Sequence, residues 1–256
     1  MRQTGDYHTH TMFSHGDGMI EDNVKAAIAA GLDSIAITDH GFRHVAFCVR
    51  RSDFPYLRKE VTRLRQLYPN IRILLGLETN IQGNNGQIDL ADQDVDKLDI
   101  LVCGYHKYVH APNLAQAFSF WLPTFGASIF GTTARRRAKN TDAFIKAIER
   151  YPIDIISHPK HCIDVDVKEI ALAAKAKGTF MELNGKSINM TDAEIEAVVD
   201  TGVGLIVNSD AHSPSRVGEI SKPMSVIERL HIPASAIVNM DKTPTFRSHV
   251  ERGLKF

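Results

Sequence analysis

Cysteine is scarce: the 256 residues hold three, Cys48, Cys103 and Cys162, an odd number at wide spacing. That excludes a disulfide scaffold and fits a reducing compartment, so a cytoplasmic protein is expected. Net charge is absent as well. Lys and Arg number 30, Asp and Glu 30, which leaves no basic footprint for tight non-specific binding of nucleic acid. Long apolar runs are missing, since none approaches the roughly 18 residues needed to cross a bilayer. The opening MRQTGDYHTH has no signal-peptide apolar core. There is no internal repeat, low-complexity tract or interdomain linker. A hydrophobic content of 43% and a charged content of 23% are those of a globular chain, and exclude disorder and collagen-like repeats. The expectation is a single domain over residues 1–256. Histidine is what the chain has in excess, with 12 residues.

Short β-rich runs alternate with helical stretches. The predicted strands are Asp6–His10, Ser34–Thr38, Arg72–Glu78, Ile100–Gly104, Ile153–Ser157, Thr179–Leu183 and Gly204–Asn208. Most are continuous apolar runs, as parallel strands buried on both faces require. Between the first two, Ile20, Val24, Ile28 and Leu32 recur every four residues and Gly31 suits a helix C-terminus. Thr191 and Glu194 have capping-box spacing, and Gly202 suits the end of the helix they open. Asn84-Asn85-Gly86 reads as a tight turn, so a small hairpin is expected after the third strand. This alternation predicts an α/β fold with right-handed crossovers and, at this length, a closed barrel. An open doubly wound sheet is the alternative.

Residues 111–140 interrupt the rhythm. They carry Phe118, Phe120, Trp121, Phe125 and Phe130, then Arg135, Arg136 and Arg137. The stretch is long for a βα connection. The plainer expectation is one or two amphipathic helices with their aromatics packed on the barrel. The alternatives are a lid over an active site or a subunit contact in a homo-oligomer.

The C-terminal ends of barrel strands are where active sites sit. The first predicted strand ends with His8 and His10, and His15 follows; the second ends at Asp39-His40 and the third at Glu78. The fourth and fifth lead to His106 and His158, the sixth carries Glu182 and Asn184, and the seventh leads to Asp210 and His212. Two residues along a strand put His8 and His10 on one side, about 7 Å apart at the backbone. A His-x-His pair by itself says little, because 12 histidines in this length supply roughly half of one by chance. The signal is the joint pattern, a ligand-type residue after nearly every strand, all at the same end. Histidines with a few carboxylates suit zinc, manganese or iron better than magnesium or calcium.

Those residues also lie in recognisable motifs. Asp6-Tyr-His-Thr-His-Thr11, Ser14-His-Gly-Asp-Gly18, Ile35-Ala-Ile-Thr-Asp-His-Gly41, Gly76-Leu-Glu-Thr-Asn80, Gly104-Tyr-His106, Ile156-Ser-His-Pro159 and Asn208-Ser-Asp-Ala-His212 occur in order along the chain. Together they resemble the PHP (polymerase and histidinol phosphatase) family, in its stand-alone bacterial phosphatase branch. The resemblance implies a distorted (β/α)7 barrel, a trinuclear metal centre and phosphoester hydrolysis. It implies His8, His10, Glu78 and Asp210 at a first metal, and His15, His40 and His212 at a second. A third would take His106 and His158, with Glu78 bridging to the first. Asp17 competes with His15 for its place. The ions implied are three divalent transition metals, zinc first, with manganese and iron as alternatives.

A lone histidine is ordinarily a hydrogen-bonded structural residue, and His44, His110, His161, His231 and His249 keep that expectation. His110 and His161 lie near strand ends, where they could contact substrate. Asp39 is expected to orient a histidine, and Glu182 and Asn184 read equally well as structural or functional. Basic residues near the rim are Lys107, Lys160, Lys186, Arg216 and the three consecutive arginines, of which at least two should be solvated. Lys107 and Arg216 are the expected phosphate contacts. The expected chemistry is attack of a metal-bridged hydroxide on a small phosphomonoester, with Glu78, Asp210 and His212 as catalytic residues. Histidinol phosphate is one candidate substrate. The alternatives are a nucleic-acid phosphodiesterase or 3′-exonuclease, a non-phosphate amidohydrolase-like enzyme, and a metal-dependent protein without catalysis. Neutral charge and the lack of an appended domain argue against polymers, and no membrane partner is expected.

Overall fold

The computed structural model describes residues 1–253, apart from the side chain of Ser128. Residues 254–256 of the expected domain lie outside the described residues. In chain order the elements are β1 (Gly5–Asp6), α1 (Ile20–Ala29), β2 (Ser34–Ile37), α2 (Phe54–Leu67), β3 (Arg72–Asn80), α3 (Asp92–Val95), β4 (Ile100–Gly104), α4 (Leu114–Gln116), α5 (Leu122–Phe130) and α6 (Ala134–Arg150). There follow β5 (Ile155–Ile156), α7 (Val167–Lys177), β6 (Phe180–Asn184), α8 (Asp192–Asp200), β7 (Leu205–Asn208), α9 (Ser221–Arg229) and α10 (Arg247–Arg252). Seven strands pair in sequence order, each parallel to the next. The sheet curls into a nearly closed single α/β barrel, with a Thr9–Ala211 bridge drawing the two edges together.

Strand alternation sorts the side chains. Leu74, Ile100, Val102, Ile155 and Ile206 fill the barrel interior with Tyr7, Ala36 and Phe246. Their neighbours Leu75, Leu77, Leu101, Cys103, Leu205 and Val207 face the helices. On β3 the residue two beyond Gly76 is Glu78, so the same period that buries Leu74 delivers a carboxylate inside the barrel mouth. Glu182 and Asn184 on β6 arrive by the same rule. At the other end Phe246, just before α10, packs edge-on against Tyr7 at 4.9 Å between ring centres and plugs the barrel.

The expected strands are present, but β1 stops at Asp6 and not at His10. Side chains take over the ladder there. Tyr7 N–H donates to Asn208 Oδ1 and Thr9 N–H to Thr38 Oγ1. On α1, Ile28 is 45% exposed and Ala27 faces inward in its place, since a strict spacing of four drifts off one face of a 3.6-residue helix. Thr191 caps α8 in the expected capping box. The hairpin after β3 exists as an Ile81–Ile88 bridge over Gly86 at φ 72°.

Residues 114–130 do not pack their aromatics as the plainer expectation had it. Phe120 is buried, but Phe118 and Phe130 are 69% and 89% exposed. A π-helical turn, Ala117–Trp121, joins α4 to α5, and Trp121 Nε1–H donates to the Lys107 carbonyl, tying the segment to the loop after β4. Arg136 and Arg137 are half-buried, bonded to the Ser119 carbonyl and to Asp166, so only Arg135 of the three is fully solvated.

Candidate metal centre

The C-terminal rim gathers the predicted residues. His8 Nε2 stands 3.4 Å from Glu78 Oε1 and 3.8 Å from Asp210 Oδ1. His10 Nε2 is 3.2 Å from Asp210 Oδ1 and from His8 Nε2. His40 Nδ1 is 2.9 Å from Glu78 Oε2, and His158 Nε2 is 2.6 Å from Glu78 Oε1. His106 Nε2 lies further out, 3.9 Å from the same oxygen. Four overlapping trios could each hold a metal ion: His10-His40-His212, His8-His10-Asp210, His8-Glu78-His158 and His40-Glu78-His106. His15 is in none of them, although its ring centre lies 4.2 Å from that of His212. Asp17, its competitor, is exposed.

The rings are aimed by their outer nitrogens. His8 Nδ1 faces Glu182 Oε1 at 2.9 Å, and an ionised carboxylate can only accept, so Nδ1 carries a hydrogen and Nε2 is the nitrogen turned towards Glu78 and Asp210. His106 Nδ1 does the same with Asn80 Oδ1 at 2.6 Å. Asn80 is turned that way because its Nδ2 donates to Asp89. His212 Nδ1 faces the Asp210 carbonyl at 2.9 Å. Hydrogen bonds of this kind fix the tautomer and orientation of a metal-ligating histidine.

Glu182 is the hub of this outer layer. It accepts from His8, from the Asn208 and Asn184 amides and from the backbone N–H of His158. The last bond helps hold His158 at φ 25°, and Asn184 also donates to Asp210, which sits at φ 53°. Both are backbone conformations that only a well-determined surrounding maintains. Gly104 leaves room for the same loop: a β-carbon there would collide with Ser157 Oγ and the His158 ring. Among the described residues Asp39 has no hydrogen bond to an imidazole, contrary to expectation. It accepts from Thr11 N–H, Thr11 Oγ1 and Ser14 Oγ, and so pins the chain between His10 and His15.

The centre lacks partners where a cation would supply them. Buried Nδ1 atoms of His10, His15, His40 and His158 and the Oε2 of Glu78 make no hydrogen bond. Burial pushes the Glu78 carboxyl up, but His8, His106 and His158 outweigh it and hold Glu78 well below the usual carboxylate range. Asp210 is held well below as well, where His8 and His10 outweigh burial. His10 is driven well below the ordinary imidazole value by burial and by His40. Ionised carboxylates among unpartnered imidazole nitrogens are a donor set that fits divalent transition metals.

Above the cluster opens a cavity of about 200 Å³. Its wall adds His44, Phe47, His161, Lys186 and Ser187 to the rim histidines. Lys107 faces a neighbouring cavity and Arg216 is exposed on a short 3₁₀ turn, so neither expected phosphate contact lines this one. Lys186 does. His249 lies at the opposite end of the barrel, donating to the Asp99 carbonyl, and His110 and His231 are exposed.

The profile of the PHP domain matches residues 6–201. The chain belongs to the PHP-domain family. A Shewanella sediminis protein named "Probable phosphatase" is 28% identical over 100% of this chain and 97% of its own length. A Caldanaerobacter subterraneus protein, "Probable phosphatase TTE1963", is 28% identical over 93% of this chain and 88% of its own. Among solved structures, histidinol phosphate phosphatase from Lactococcus lactis, complexed with zinc, L-histidinol and phosphate, superposes with a TM-score of 0.63. It covers 96% of this PHP domain and 97% of its own chain at 14% identity, and so shares the fold. No helix among the described residues is long and apolar enough to cross a membrane.

Proposed function

We propose that this PHP domain is a metal-dependent phosphatase that hydrolyses a small phosphomonoester. It is a hydrolase of phosphoric ester bonds, and the described residues, 1–253, serve as one catalytic domain. The observation that carries this reading is the convergence of four ligand trios on one barrel mouth, where buried Nδ1 atoms of His10, His40 and His158 and one oxygen of Glu78 have no hydrogen-bond partner. His8, His10, Glu78 and Asp210 would hold one divalent ion, and His15, His40 and His212 a second. His106 and His158 would hold a third, which Glu78 shares with the first. Zinc suits this nitrogen-rich set, with manganese and iron as alternatives. Such ions lower the pKa of water and offset charge on phosphoryl oxygens.

The chain's own residues prepare that chemistry. Glu78 and Asp210 stay ionised, and Ser157 Oγ donates to Glu78 Oε1 at 2.9 Å. His212 stands where the cluster meets the cavity, and Lys186 brings an ammonium to the same edge. The cavity's volume suits a compact organic phosphate better than a polymer strand. The names of the Shewanella and Caldanaerobacter relatives agree with the reaction class. The test is metal analysis of freshly purified protein, followed by phosphate release from a monoester, a diester and an oligonucleotide. Bound transition metal and release from the monoester, abolished by chelation and restored by reloading, are expected. A chain that takes up no metal and releases no phosphate would overturn the proposal.

A further inference from the structure

The cavity mouth has a one-sided chemistry. Lys186 Nζ lies 3.2 Å from His212 Nε2 and 3.4 Å from its Nδ1. No carboxylate among the described residues stands within ion-pair distance of it. Lys160, by contrast, is taken up by Glu194 at 2.6 Å. The turn that carries Lys186 is fixed, because the N–H groups of Lys186 and Ser187 both donate to Asn184 Oδ1. A second ammonium stands behind it, Lys222 Nζ donating to the Lys186 carbonyl at 2.5 Å. His44 is a neutral donor by geometry. Its Nδ1 accepts from Ala46 N–H and Phe47 N–H, at 3.3 and 3.1 Å, so its remaining hydrogen is on Nε2. The Phe47 ring, 40% exposed, stacks on His15 at 4.4 Å between ring centres and supplies an apolar wall. Asp210 is the carboxylate lining this cavity, and it is committed to His10 and to the Asn184 amide.

We infer that this mouth selects a phosphomonoester whose organic part carries a second negative group, a carboxylate or another phosphate, and discriminates against one that carries an ammonium. The inference rests on the phosphomonoester reading above and adds the class of substrate. A carboxylate on the organic part finds an unpaired lysine and a ring N–H. An ammonium finds a like charge and, among the residues lining the cavity, no free acid, and repulsion of that kind is how a site rejects a near-isostere. Amino-alcohol phosphates, histidinol phosphate among them, are therefore poor substrates for this chain.

Two non-hydrolysable probes test it, phosphonopropionate and aminoethylphosphonate, which share a phosphonate and differ in the charge at the far end. Their dissociation constants are measured by calorimetry on the metal-loaded full chain. The anionic probe is expected to bind about two- to fivefold tighter, the scale of one exposed ion pair. Lys186→Met should bring the two together and Lys186→Glu should reverse their order. Lys186 is exposed, so both variants should fold, which circular dichroism checks. Equal or reversed affinities in the unsubstituted enzyme would overturn the inference. So would a ratio that Lys186→Glu leaves alone, because a lysine gripping the reacting phosphate would weaken both probes alike. Turnover of phenyl phosphate is scored separately. Its absence would count against the function proposed above, while the ratio of affinities still decides this inference.

Discussion

Asp154 and Glu78 are both fully buried carboxylates of one barrel, at opposite ends. Asp154 precedes β5 and accepts from Leu101 N–H, Ser248 N–H and Ser248 Oγ, each at 2.8 Å. Its neighbour Asp99 takes Arg58, Arg65 and Leu75 N–H. That end stitches α2 and α10 to the strands. Glu78 has one oxygen shared between Ser157 and His158 and the other without a hydrogen bond, among imidazoles that are themselves incomplete. Leaving a buried polar group unpaired costs about 1–3 kcal/mol. The first end therefore completes its hydrogen bonds within the chain, and the second completes its set when a cation arrives. Residue type does not separate the two ends. The bookkeeping of hydrogen bonds does.

The contrast can be broken by substitution. Glu78→Gln should reduce phosphatase turnover by on the order of a thousandfold, the scale of losing a central electrostatic group. Bound metal should fall with it while thermal stability holds or rises. Turnover, metal content and melting temperature are measured on one preparation, and a fully active, metal-replete variant would remove Glu78 from the centre. Glu182→Gln should act one step back, weakening metal affinity about 10- to 100-fold as the loss of an orienting partner does. Competition against a chelating dye reads this directly. An unchanged metal affinity would make the Glu182 bonds purely structural. Asp154→Ala should behave in the opposite sense. Two buried N–H groups lose their acceptor, and chemical denaturation should report a loss of about 4 kcal/mol. Turnover per folded molecule should not change. A selective loss of activity would mean that the two ends are coupled.

How legible each end is from sequence follows from the same geometry. Glu78 and Asp210 could be placed because a period of two and a strand terminus are local signals, written within a few residues. The Glu182 hub could not, because it joins residues 174 apart, His8 to Glu182, through contacts that exist only once the barrel closes. Its one advance signal was that Glu182 and Asn184 share a face of β6. Lys186 was visible as a rim lysine but could not be ranked above Lys107 or Arg216, since loop direction carries no periodicity. The aromatic stretch after β4 misled for a related reason: spacing says which residues share a helix face, and not whether that face meets the barrel. Phe120 meets the barrel, and Phe118 and Phe130 do not.

The smallest effect sharpens the contrast in pH. Burial pushes the Asp154 carboxyl up to about 6, against the lowering effect of the Ser248 and Leu101 donors. In the unfolded chain the group returns to its ordinary value of 3.8. The sign follows from linkage. Below that ordinary value the group is protonated in both states and the folded state carries no penalty. As pH rises towards 6 the unfolded chain ionises first, so the stability that the neutral acid contributes is progressively lost. The loss is at most about 3 kcal/mol, at about 1.4 kcal/mol per pKa unit. Stability measured against pH for the unsubstituted protein, minus that for Asp154→Asn, should therefore fall between about pH 4 and 6 and flatten above. A difference that stays level across that window would show that the donors offset burial, and one that rises would show that they outweigh it. The N-terminal end would then hold its carboxylate charged, as the rim holds Glu78, and the two ends would differ only in whether the partners come from the chain.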